Sequence, residues 1–265
     1  MERPEMTSVF FDQIRKTGKS VLISDYEGTL TPPLKDRVTT YPYKGINQKL
    51  ERLATLGCRV IILSSGKALD VLEAFGKDIP IEIWGFYGAE RLDPGGILEV
   101  FYPETRQKEG LTLAYNLAKV FFTDEDLEIT PLSVKASFRG PSKQGSDHPG
   151  HELEKEWIGL VSLNELRLLT FDGGMELRAR GFDKGSAVRT ILKDVSADCP
   201  CCYLGDDPSD EEPFNFIWGR GLTALVKKEH QESSAQIWLQ PPSELLKFCD
   251  DWIWSLENWE IDSRD

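Results

Sequence analysis

The sequence predicts an α/β protein in which a parallel-sheet domain is interrupted by a smaller α+β domain. Three observations carry this. Short apolar runs at Val21–Asp25, Arg59–Leu63, Ile81–Phe86, Cys201–Leu204 and Leu222–Val226 alternate with helical patterns on both flanks of the chain, the rhythm of a parallel sheet. From about Thr105 the rhythm changes to antiparallel-type strands with helices. The chain has 265 residues, 40% of them hydrophobic, which supplies one large domain and a smaller insert. The expected division is a discontinuous main domain, 1–104 and 181–265, around an insert at 105–180.

Each element has its own signal. Ile46, Leu50, Leu53 and Leu56 are spaced for a helix, and Gly57 stops it. Ala68–Phe75 reads as a second helix after the turn Ser64-Ser65-Gly66-Lys67. Asp93-Pro94-Gly95-Gly96 marks a hairpin turn. In the insert, Leu111–Phe122 and His151–Val161 read as helices, and Leu127–Ile129 and Leu132–Arg139 as strands. Leu166–Phe171 and Met175–Arg180 form a hairpin there. Val134, Ala136 and Phe138 alternate with Lys135, Ser137 and Arg139, and Met175, Leu177 and Ala179 with Glu176, Arg178 and Arg180, so each strand has one apolar face. Gly140–Gly150 is expected to be a loop, Ser186–Leu192 a helix and Gln236–Leu239 a last short strand. Leu245, Leu246, Cys249, Trp252, Ile253 and Leu256 form the packing stripe of a final helix. Val9–Ile14 carries apolar positions with no evident partner.

Bulk properties exclude several classes. A net charge of −13 argues against binding nucleic acid, where affinity rests on Lys and Arg. No run of 18 apolar residues exists to span a membrane, and Met1–Ser20 lacks the apolar core of a signal peptide, so a cytoplasmic location is expected. The five cysteines are odd in number and fit no zinc spacing, so they are expected to be buried thiols.

The chemistry-bearing residues lie where strands end. Asp25 closes the first apolar run, and ligands of open α/β sheets bind outside the carboxyl ends of strands. Gly205-Asp206-Asp207-Pro208-Ser209-Asp210-Glu211-Glu212 follows another buried run, and clustered carboxylates there suit a hard divalent cation. The Ser64–Lys67 turn before a helix presents N–H groups to an anion. Lys184 precedes a predicted helix, where a cation opposes the helix dipole unless an anion such as phosphate sits nearby.

Taken in order, Asp25-Tyr-Glu-Gly-Thr-Leu, Ser65-Gly-Lys, Lys184 and Gly205-Asp-Asp-Pro-Ser-Asp resemble the haloacid dehalogenase superfamily of phosphotransferases. Adding Gly88-Ala-Glu, Val134-Lys-Ala-Ser-Phe-Arg, Glu176-Leu-Arg and Asp183-Lys-Gly-Ser-Ala, the chain from about Lys19 to Pro242 is similar to the trehalose-6-phosphate phosphatase family. The resemblance implies a Rossmann-like core with an inserted, mobile cap, Mg2+ as cofactor, and hydrolysis through a phosphoaspartate. It implies Asp25 as nucleophile and Glu27 as acid–base, with Ser65 and Lys184 holding phosphoryl oxygens. Mg2+ would be held by Asp25, Asp206 and the main-chain carbonyl of Glu27, supported by Asp210 and Asp207. Gly66, Lys67, Glu90, Arg139, Glu176 and Arg178 would contact substrate. It also implies a small-molecule sugar phosphate as ligand and points to a trehalose-phosphate synthase as a protein partner.

The chain departs from the family at three places. Where the family has aspartate two residues after the nucleophile, this chain has Glu27. Ser137-Phe138 replaces the His-Tyr of a His-Tyr-Arg element, and Arg180 replaces a proline. Three functions therefore stand open at this point: a trehalose-6-phosphate phosphatase, a phosphatase of another glycosyl phosphate, and a sugar-phosphate binder that turns nothing over.

Overall fold

A computed structural model describes residues 4–33, 41–76, 79–138, 149–171 and 173–259. In chain order the first elements are α1 (Pro4–Thr17), β1 (Ser20–Asp25), α2 (Ile46–Thr55), β2 (Cys58–Leu63), α3 (Ala68–Phe75), β3 (Glu82–Gly85), β4 (Glu90–Leu92) and β5 (Leu98–Val100). Then come α4 (Thr105–Phe121), β6 (Leu127–Ile129), β7 (Ser133–Ser137), α5 (Pro149–Leu163), β8 (Leu166–Phe171) and β9 (Gly174–Ala179). The chain closes with α6 (Lys184–Ile191), β10 (Cys201–Gly205), α7 (Glu211–Ile217), β11 (Leu222–Val226), β12 (Ile237–Leu239) and α8 (Ser243–Glu257). Two compact units result, Met1–Val100 with Asp183–Asp265, and Phe101–Phe182.

All six residues of β1 and all five of β10 are buried. Burial without alternation is what a parallel strand covered on both faces requires. Leu22, Val60, Ile62, Cys202 and Leu204 meet the core formed with α1, α2 and α8. Val21, Ile23, Ile61, Leu63, Cys201 and Tyr203 meet the core formed with α6 and α7. Each fully buried aliphatic side chain contributes about 1.5–3 kcal/mol.

The sheet order is β12-β11-β10-β1-β2-β3-β4-β5. Every pair from β12 to β3 is parallel, and β3-β4-β5 is an antiparallel edge built on the expected hairpin. The chain runs outward from β1 through β2 and β3, then returns on the other side of β1 as β10. That reversal between β1 and β10 is where open α/β sheets form their crevice.

The unplaced Val9–Ile14 stretch belongs to α1. Phe10, Phe11 and Ile14 are buried, and Phe10 stacks on Phe248 and meets Trp252 edge-on, both from α8. The acidic stretch after β10 is partly helical, since α7 starts at Glu211. A capping box between Asp207 and Asp210, with Pro208 inside it, begins that turn. Lys184 is the first residue of α6 rather than the residue before the helix, because Asp183 accepts from Ser186 N as the cap. Helix α4 starts six residues early, at a capping box of Glu104 and Gln107.

The second unit has an antiparallel sheet of order β6-β7-β9-β8. The apolar faces of β7 and β9 bury Val134, Ala136, Met175, Leu177 and Ala179 with Leu153 and Trp157 of α5 and Ala114 of α4. Trp157 is fully buried and donates its Nε1–H to Ala114 O at 3.0 Å, so its polar atom is satisfied. The expected loop 140–150 lies largely outside the described residues, as does Arg139.

Candidate active site

Parallel pairing of Ser24 with Leu204 makes β1 and β10 end side by side. Asp25 therefore emerges next to Asp206. The turn after β1 must then pass close to that carboxylate. Gly28 does so at φ 89°, where a Cβ would run into the Asp206 side chain. Thr29 ties the two strand ends together, donating its hydroxyl to Asp206 Oδ1 at 3.1 Å and lying 3.3 Å from Asp25 Oδ2.

Lys184 enters this cluster from the first turn of α6. Only 5% exposed, its Nζ lies 2.9 Å from Asp25 Oδ1, 2.9 Å from Asp210 Oδ1 and 3.6 Å from Asp207 Oδ1. The anion that offsets its charge at the helix start is thus a set of carboxylates, where the sequence suggested phosphate. Asp210 is fully buried and organises the acidic loop. Its Oδ2 accepts from Asp206 N and Asp207 N, each at 3.0 Å, and its Oδ1 accepts from Tyr203 Oη at 2.6 Å. Lys227 Nζ donates to Asp206 O at 3.2 Å and to Gln231 Oε1 at 2.7 Å.

The electrostatics are unbalanced. Burial pushes the Asp25 carboxyl well above its ordinary range; Lys184 pulls it down, and Asp210 and Glu27 push it up again. Asp206 is pushed up to about 6, by burial first and then by Asp210 and Asp207. Asp210 is raised by burial against the pull of Lys184. Asp207 is lowered, because Lys184 and the Ser209 hydrogen bonds outweigh its burial. Burial opposes the charge on Lys184, yet Asp25, Asp210 and Asp207 hold its pKa well above the usual value. Three carboxylates thus share the Lys184 ammonium, and carboxylates outnumber ammonium groups in the cluster.

This donor set fits a divalent cation. Oxygens of Asp25, Asp206 and Asp210 all lie within 4.8 Å of one another. They are hard ligands, and raised carboxylate pKa values mark negative charge that a cation would neutralise.

Glu27, which acts on Asp25 through its charge, is hydrogen-bonded to the turn after β2. Ser64 Oγ donates to Glu27 Oε1 at 2.6 Å, and Ser65 N donates to Glu27 Oε2 at 3.3 Å. Ser64 Oγ also accepts from Gly66 N at 2.9 Å. Ser64 is buried, whereas Ser65 and Lys67 are exposed. Glu90 Oε2 accepts from Ala68 N at 2.8 Å, so it caps the start of α3. The turn is further held by Phe86 N to Gly66 O at 2.7 Å and Tyr87 N to Ser64 O at 3.0 Å.

Asp25, Glu27, Ser65, Gly66, Lys67, Glu90, Lys184, Asp206, Asp207 and Asp210 all belong to the first unit. Glu176 and Arg178 belong to the second, where Arg178 is buried and forms a two-pronged ion pair with Glu176 at 2.9 and 2.7 Å. Sequence reasoning did not single out Thr29, Ser64, Tyr203 or Lys227. Tyr203 left a signal, being a hydroxyl inside an apolar strand. Ser64 left none that separated it from Ser65.

No family model matches the chain. A probable trehalose-phosphate phosphatase C of Arabidopsis thaliana is 25% identical over 264 residues, 91% of this chain and 79% of that protein. A trehalose-6-phosphate phosphatase of Aspergillus fumigatus superposes with a TM-score of 0.74 at 20% identity, covering 94% of this chain and 97% of the other. The C-terminal domain of a Candida albicans trehalose synthase regulatory protein gives 0.69 at 15% identity, over 92% and 98%. A haloacid dehalogenase-like hydrolase from Bacteroides thetaiotaomicron gives 0.63 at 13%, over 88% and 98%. The chain has the fold of the haloacid dehalogenase-like hydrolases. In sequence it is similar to the trehalose-phosphate phosphatases, at about a quarter identity over most of its length.

Proposed function

We propose that this protein is a Mg2+-dependent phosphatase that hydrolyses trehalose 6-phosphate to trehalose and phosphate, with Phe101–Phe182 serving as its cap. The observation that carries the reading is Asp25, buried at the end of β1, paired with Lys184 and grouped with Asp206 and Asp210. A buried carboxylate with more acid than base around it suits a cation and a phosphoryl group.

Phosphoryl transfer needs positioning and charge neutralisation above all. One Asp25 oxygen attacks phosphorus, forming an O–P bond as the bond to the sugar oxygen breaks. The departing sugar oxygen takes a proton from the Glu27 carboxyl. Glu27 then takes a proton from water, which attacks the phosphoaspartate and releases phosphate, returning Asp25. Lys184 and the Ser65 hydroxyl hold phosphoryl oxygens. Asp25, Asp206 and the Glu27 carbonyl, with Asp210 and Asp207 in support, would hold Mg2+, which supplies positive charge to the transferred group. Gly66, Lys67, Glu90, Arg139, Glu176 and Arg178 take the rest of the substrate.

Glu27 keeps the carboxyl but adds a methylene. That moves the group by on the order of 1 Å, a misplacement able to cost about 100-fold. A second reading, a sugar-phosphate binder without turnover, rests on the hold of Ser64 and Ser65 on Glu27 and on the likeness to a regulatory protein. That likeness also makes a trehalose-phosphate synthase the partner to test. The five cysteines, all free, agree with a cytoplasmic location.

The test is phosphate release with Mg2+ from trehalose 6-phosphate and a panel of other glycosyl phosphates. Release from trehalose 6-phosphate that disappears in Asp25→Asn is expected. Release only from another ester reassigns the substrate. Binding without release from any ester selects the second reading.

A further inference from the structure

We propose that Ser64 is a positioning residue that latches the Glu27 carboxylate onto the Ser64–Ser65 turn, so that an incoming phosphoryl group and Glu27 compete for the Ser65 N–H. This rests on the phosphatase reading of the site and deepens it.

The geometry carries it. Ser64 is 1% exposed, and its hydroxyl is committed on both sides, donating to Glu27 Oε1 at 2.6 Å and accepting from Gly66 N at 2.9 Å. Hydrogen bonds to an ionised acceptor are short and roughly twice as strong as neutral ones. The second Glu27 oxygen takes the Ser65 N–H at 3.3 Å. That N–H lies at the residue assigned to hold a phosphoryl oxygen, two residues ahead of the N-cap of α3. A carboxylate there does what a phosphate oxygen would do, with the same sign of charge and the same demand for donors. The extra methylene of Glu27 gives the carboxylate its reach onto this turn; an aspartate at the same position is one carbon shorter.

Two consequences follow. In the resting protein Glu27 is held on the turn by Ser64 and Ser65. A bound phosphate ester displaces it, which turns part of the binding energy into release of Glu27 toward the sugar oxygen, where it serves as the acid once it has taken a proton from solvent. The chain thus lowers its affinity for phosphate esters by holding its own anion in their place, as expected when a binding-competent state is only fractionally populated.

The experiment is a double-mutant cycle on the affinity for inorganic phosphate, measured by calorimetry on the full chain with Mg2+. Ser64→Ala in the parent is expected to tighten phosphate binding about tenfold, because Glu27 loses its strongest anchor. In a Glu27→Asp background the same change is expected to shift affinity by less than about twofold, since the shorter carboxylate does not reach Ser64. Ser64→Thr, which keeps the hydroxyl, restores the parent affinity. With substrate, Ser64→Ala lowers KM more than it changes kcat. An equal effect of Ser64→Ala in both backgrounds, or weaker binding in the parent, overturns the latch while leaving the phosphatase reading intact. Phosphate binding in none of the variants overturns both together.

Discussion

Two buried charge clusters of the first unit are built on opposite plans. Glu82 on β3 is 3% exposed, and its carboxylate is outnumbered by donors. Arg59 donates to it through Nε at 3.1 Å and Nη2 at 2.8 Å, Arg91 Nε at 3.0 Å and Trp84 Nε1 at 2.6 Å. One buried carboxylate meets two guanidinium groups, which reach water at their outer ends, where Arg91 also pairs with Glu99 at 3.1 Å. At the ends of β1 and β10 the ratio is reversed, with Asp25, Asp206, Asp207 and Asp210 grouped around Lys184 and the Lys227 ammonium on the main-chain carbonyl of Asp206. A satisfied cluster holds a fold together. A cluster left with surplus charge in a buried place is unfavourable by itself and persists where a ligand balances it.

The predictions that sharpen this contrast run from large to small. Asp25→Asn removes the proposed nucleophile, and phosphate release is expected to fall by at least about a thousandfold with melting temperature unchanged or raised. Glu82→Gln leaves two guanidinium groups without their buried partner. It is expected to cost about 1–3 kcal/mol of stability, read as a fall in melting temperature, with phosphate and Mg2+ affinities unchanged. Loss of phosphate binding in Glu82→Gln would blur the distinction between the clusters. Glu27→Asp is expected to raise phosphate release by up to about 100-fold, measured in the steady state with Mg2+.

The smallest effect concerns pH. The folded-state pKa of Asp206, about 6, lies above its ordinary value of 3.8, so the folded protein holds this proton more tightly than the unfolded chain. The stability this supplies is full below the ordinary value and is lost as pH rises through about 6. Asp206→Asn is therefore expected to stabilise the metal-free protein at pH 8 by on the order of 1–3 kcal/mol, with the advantage vanishing near pH 4. Thermal melts in a chelator at the two pH values measure it.

Much of the fold is legible because β1, β2, β10 and β11 are short apolar runs bounded by glycine or acid, and burial on both faces leaves such runs unmistakable. The grouping of Asp25 with Asp206 follows from two neighbouring strand ends, which sequence order suggests. Other features depend on tertiary pairing. Helix α1 is polar and mixed in charge until Phe10, Phe11 and Ile14 find Phe248 and Trp252. Helix α7 hides in an acidic run, although its capping box and Pro208 are visible once sought. Glu90 shows that a residue singled out for substrate also has a backbone N–H to cap. Whether the Ser64 or the Ser65 hydroxyl meets Glu27 depends on where β2 stops at Leu63, a matter of one residue that apolar pattern does not resolve.

The most direct test of the surplus-charge site is the effect of Mg2+ on thermal stability at pH 8, in the parent and in Asp206→Asn. Mg2+ is expected to raise the melting temperature of the parent by several degrees, because it binds the folded state and balances the carboxylates, and to leave Asp206→Asn nearly unmoved. Without Mg2+ the variant is expected to be the more stable of the two. A parent indifferent to Mg2+, and more stable than Asp206→Asn in chelator, would contradict the claim that these carboxylates are held together for a cation.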